Sequence, residues 1–88
     1  MDTPSIARLI GYIAGTLTTL AFVPQVVRTW RRRSADHFSL TMLIAFNIGV
    51  GLWVAYGFLL AEPPIIVFNV ITLGLALLLL WMKLKRQR

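Results

Sequence analysis

The chain has 88 residues, enough for one domain, and 58% of them are hydrophobic against 14% charged, well below the roughly 25% charged of an average soluble domain. That balance points to a membrane protein. Cysteine is absent, which excludes a disulfide framework and thiolate chemistry. The net charge of +6 gathers at the ends of apolar runs, where membrane topology puts basic residues, so nucleic acid is not an expected partner.

Three uncharged runs follow one another: Leu9–Val27 (19 residues), Phe38–Ala61 (24) and Pro63–Met82 (20). At about 1.5 Å per residue each can cross a hydrocarbon core of about 30 Å. The expected organisation is one domain, 1–88, with helices over about 6–28, 38–61 and 63–82, a basic loop 29–37 and a basic tail 83–88.

The first run lacks a basic start beyond Arg8, exceeds the length of a signal-peptide core and ends in arginines, so a retained helix is expected. Near its end stands Pro24-Gln25. Proline has no N–H for the carbonyl of Leu20 and its ring pushes that carbonyl aside. In lipid the freed group must be answered by a neighbouring helix, a side chain or water. Gln25 adds an amide at a depth where an unpaired one is costly. A plain anchor has little use for this pair; the ordinary alternative is a tolerated kink.

Gly11 and Gly15 on the first helix, and Gly51 and Ala55 on the second, are small-residue pairs four apart, expected to serve packing within the chain. Arg28, Arg31, Arg32 and Arg33 in the loop and Lys83, Lys85, Arg86 and Arg88 in the tail oppose Arg8 alone on the other side. Loop and tail are therefore expected in the cytoplasm and the N-terminus outside, in an inner (plasma) membrane. Glu62-Pro63-Pro64 reads as a tight turn that starts the third helix.

On the second helix, Met42, Phe46, Gly49, Trp53, Tyr56 and Leu60 fall in a stripe about 80° wide, with Asn47 opposite. Trp53 and, on the third helix, Asn69 each lie about 5 Å to the outer side of the membrane centre. A tryptophan and an amide thus share one depth on adjacent helices. Packing accounts for such residues in many proteins; a bulky stripe with a glycine beside a central tryptophan also suits a small cavity closed at both ends. His37, beside Asp36 at the membrane edge, reads as solvated. No second acid, ligand cluster or cofactor motif accompanies it, so neither enzyme chemistry nor a metal is expected. No charge lies within the spans, as a proton-coupled pump would need.

Pro24-Gln25, the Trp53-x-x-Tyr56-Gly57 run and Asn69 at these spacings resemble the PQ-loop transporters, and among them the bacterial SemiSWEET sugar transporters, over nearly the whole chain. The resemblance implies an all-α three-helix half-transporter, with helix three between one and two in space. It also implies a parallel homodimer with a sugar path between the copies, alternating access and no coupling ion. By motif, Trp53 and Asn69 match the sugar-binding pair, Pro24 and Gln25 the hinge, Met42 and Phe46 the inner gate, and Tyr56 the outer gate. Relatives often add an arginine and an aspartate after that tyrosine. Here Leu60 stands where the base would be, and Glu62 supplies the acid.

The expected function is facilitative uniport of a mono- or disaccharide of the glucose or sucrose class. An indole plane covers the C–H face of a sugar, and an amide donates and accepts toward its hydroxyls. The alternatives are a PQ-loop transporter of another small polar solute, for which a zwitterion would call for a charge in the cavity, and a holin-like pore or assembly protein.

Overall fold

The computed structural model describes residues 2–86, so Arg88 of the expected basic tail lies outside the described residues. Three helices, α1 (Thr3–Arg32), α2 (Leu40–Leu60) and α3 (Pro63–Arg86), account for most of them, and all three are long and apolar enough to cross a membrane.

Local chemistry sets the ends. Asp2 caps α1 by accepting from the Ser5 backbone N–H at 2.9 Å, and hydrogen bonding from Ser5, side chain and backbone, holds the Asp2 carboxyl below the ordinary range. At the other end Arg33 adopts a left-handed conformation (φ 55°) and donates its N–H to Trp30 at 3.1 Å. Ser39 caps α2 by accepting from the Met42 N–H at 3.0 Å. The α2–α3 turn closes when the Glu62 N–H donates to Gly57 at 3.0 Å, with Ala61 at φ 52°. Pro63 and Pro64 then open α3, where a missing N–H costs little.

Two of the helices outrun their uncharged segments, while α2 falls just inside its own. α1 continues through Arg28–Arg32 and α3 through Lys83–Arg86, because arginine and lysine are good helix formers whose long stems carry the charge to water.

Helix α3 packs along both α1 and α2, while the backbones of α1 and α2 stay apart. The spatial order is 1-3-2. Two glycines on α1 allow the close approach of α3: a Cβ on Gly11 would lie 3.0 Å from Pro64, and one on Gly15 would overlap the Phe68 ring. On α2 the corresponding glycine is Gly57, whose Cβ would lie 2.8 Å from Ile65. The second small pair therefore needs correction. A Cβ on Gly51 meets nothing within 4 Å and Ala55 is exposed, so this pair makes no close packing within the chain.

Toward the basic end, Val26, Leu43 and Leu79 join the three helices in one buried cluster. Asn47 sits just above it, 8% exposed, donating to the carbonyls of Leu43 at 2.8 Å and of Ala76 across on α3 at 3.2 Å. The molecule measures 51 × 23 × 14 Å, a slab little thicker than one helix.

Candidate substrate site

The seam of α2 against α3 runs through Leu43, Asn47, Val50 and Gly57. The stripe of Met42, Phe46, Trp53 and Tyr56 lies about 100° round the helix from that seam, and all four side chains are exposed. It faces the flank shared with α1, because the Phe46 ring reaches Phe22 of α1 at 5.9 Å between centroids. Phe22 is a residue that pattern reading missed. It begins the Phe22-Val23-Pro24-Gln25 run, and its place in the proline segment was the available signal.

Above the Phe22–Phe46 contact, Gly49 leaves open space. Trp53 follows, 53% exposed, meeting the Tyr56 ring edge-on at 5.3 Å and 86°. An aromatic pair thus stands at each half of the stripe, with a gap between.

On α3, the exposed residues Val67, Val70, Ile71, Leu77, Trp81 and Leu84 form one row. Asn69 lies about 120° round from it, on the side turned toward the other helices. There it lines a cleft of ≈180 Å³ with Gly11, Gly15, Thr18, Phe68 and Thr72. Its amide nitrogen donates to the Ile65 carbonyl, one turn back, at 2.8 Å, which fixes the side chain. Trp53 does not line this cleft. Trp53 thus stands exposed on α2, while Asn69 lines a separate cleft between α1 and α3.

Helix α1 is docked on both sides of Pro24. Its N-terminal half is held through Gly11 and Gly15; its C-terminal end is held through Val26 and Thr29, the two buried residues of the helix. Pro24 and Gln25 themselves are exposed. The Thr29 hydroxyl donates to the Gln25 carbonyl at 2.9 Å and lies 3.4 Å from His37 Nε2. His37 is exposed, as expected, and its contact with Thr29 also brings the loop against the segment beyond the proline.

At the end of the bundle away from the basic loop, Glu62 Oε2 lies 3.5 Å from Arg8 Nε, with both side chains partly exposed. The sequence gives Arg8 no partner. Here it brings to the acid the cation that Leu60 does not supply. Both partners are solvated, so the pair contributes at most about 1 kcal/mol and serves better to set position than to stabilise.

The pattern of the PQ loop repeat family matches residues 6–66. The sugar transporter SemiSWEET of Leptospira biflexa is 45% identical over 76 residues, covering 86% of this chain and 89% of that protein. Its counterpart in Bradyrhizobium diazoefficiens is 40% identical over 82 residues, covering 93% and 95%. A crystal structure of SemiSWEET in the inward-open conformation superposes with a TM-score of 0.88 at 36% identity, over 94% of this chain and 96% of that one. The chain belongs to the SemiSWEET group of PQ-loop proteins. Within that group it is a multi-pass membrane protein built on the family's 1-3-2 bundle.

Proposed function

We propose that the chain is a facilitative sugar transporter, a uniporter of a mono- or disaccharide that works by alternating access as a parallel homodimer in the inner membrane. The observation that carries this reading is Trp53, exposed on α2, together with the Asn69 amide lining an uncharged cleft between α1 and α3. Relatives named as sugar transporters support it. A slab 14 Å thick cannot enclose a sugar, whereas two slabs related by a dyad supply two indoles and two amides around one path. Trp53 covers the apolar sugar face and Asn69 bonds the hydroxyls. Met42 and Phe46, the latter against Phe22, close the inner end. Tyr56 and Glu62, the latter held by Arg8, close the outer end. Pro24 with Gln25 is the hinge between the two docked parts of α1.

Counterflow of a panel of labelled sugars, with amino acids alongside, into proteoliposomes tests the function. Saturable, stereoselective sugar exchange is expected. Unselective leak would instead mark a pore of holin type, and amino-acid exchange without sugar would mark another PQ-loop solute.

Pro24→Ala regains the hydrogen bond to Leu20. It is expected to raise stability by up to about 1 kcal/mol and to slow turnover several-fold, with substrate affinity little changed. Wild-type turnover under saturating sugar would remove the hinge from the mechanism.

The orientation is tested with cysteines placed singly at Thr3 and Arg32. An impermeant maleimide should reach the first in intact cells and the second only after permeabilisation. Labelling of the Arg32 position in intact cells would invert the topology.

A further inference from the structure

Where α1 and α3 end at the basic side, a cleft of ≈540 Å³ opens, lined by Trp30, Arg33, Asp36, Trp81, Met82 and Lys85. It shares no lining residue with the Asn69 cleft. Trp81 belongs to the exposed row of α3, about 120° round the helix from Asn69, so the two clefts open on different faces of that helix.

Its chemistry is graded along the helix axis. Leu77, one turn before Trp81 on the same row, is exposed and apolar. Trp30 and Trp81, each about half exposed, sit where apolar run gives way to charge, the depth that indoles favour at a membrane boundary. Arg33 and Lys85 lie beyond them. The Lys85 ammonium is 4.9 Å from the Trp81 ring centroid, a contact that holds the cation over the cleft wall. Arg33 is fixed at the α1 terminus by its left-handed cap. Asp36 adds one carboxylate, so the liners carry one net positive charge.

We infer that this cleft binds the phosphodiester of an anionic phospholipid, with Arg33 and Lys85 on the phosphate, Trp30 and Trp81 flanking the glycerol, and an acyl chain along the row through Leu77. Basic pockets between helices at a membrane face are suited to such headgroups. A free phosphate would satisfy the two cations but has no use for the tryptophans or for the apolar row that continues from them. The site requires only that the basic ends lie at a membrane surface; its placement in the inner leaflet rests on the orientation proposed above.

Native mass spectrometry of the full chain, released from micelles doped with phosphatidylglycerol or phosphatidylcholine, tests this. Wild type should retain phosphatidylglycerol preferentially, and millimolar inorganic phosphate should fail to displace it. Each basic residue near an anionic surface contributes roughly fivefold, so Arg33→Gln with Lys85→Gln should lower retention by about tenfold or more. Arg31→Gln with Arg32→Gln removes the same charge outside the cleft and should lower it far less. Equal retention of the two lipids, displacement by inorganic phosphate, or equal losses in the two double variants would overturn the site. Thermal stabilisation of the wild type by phosphatidylglycerol over phosphatidylcholine reads the same preference without any variant. Sugar counterflow is not the readout, so failure of the sugar reading leaves this test standing.

Discussion

Trp53→Ala and Asn69→Ala should each lower sugar affinity by roughly tenfold or more in a protein that stays folded. A hydrogen bond to a neutral group contributes about 0.5–1.5 kcal/mol net, and a dyad removes two at once. Trp53→Ala takes away an indole that is already exposed, so little packing within the chain is lost. Asn69→Ala removes a bond to its own helix, which again spares the fold. Asn47→Ala is the informative contrast. It deletes a buried amide that spans to the Ala76 carbonyl, at a cost of about 1–3 kcal/mol, yet it should leave sugar selectivity intact because Asn47 lies off the stripe. Binding isotherms on the three folded variants decide the matter. Wild-type affinity in both Trp53→Ala and Asn69→Ala would reduce the pair to packing.

Gly15→Leu should be the most damaging single change to the fold. Even the first carbon of a side chain would overlap the Phe68 ring, and overpacking typically costs about 1–3 kcal/mol or more. In a bilayer the loss is hard to recover, since α1 can exchange its contact with α3 for contact with lipid. Gly51→Leu adds the same bulk where nothing lies within 4 Å and should be nearly neutral. Thermal unfolding in detergent compares them, and Gly15→Ala combined with Phe68→Leu should regain part of what Gly15→Ala alone loses. Equal midpoints for the two leucine variants would mean that α1 does not dock on α3 through its glycines.

Length and composition made the three spans legible, because lipid permits few alternatives to apolar helices about 20 residues long. Which face meets which neighbour was far less legible. α2 is apolar nearly all round, so no amphipathic period distinguishes its seam from its exposed side. That is why Gly51 and Ala55 looked like a packing pair while Gly57 was the residue in contact. Polar landmarks fared better: Asn47 fell opposite the stripe, and it is buried against α3. The contacts that escaped notice join residues distant in sequence. Phe22 meets Phe46 across two helices, and Arg8 reaches Glu62 from the far end of the chain. No local spacing encodes either, and only the placement of α3 between the others brings them within reach.

That placement also orders events at the ribosome. The glycine face of α1 enters the membrane first, but Pro64 and Phe68, which cover it, are synthesised about fifty residues later. At about 5–20 residues per second, α1 waits several seconds for its cognate surface. Throughout that interval a Gly-x-x-x-Gly helix stands bare in lipid, able to pair with another nascent α1. Biogenesis of the bundle is therefore a contest between premature self-association of the first helix and arrival of the last.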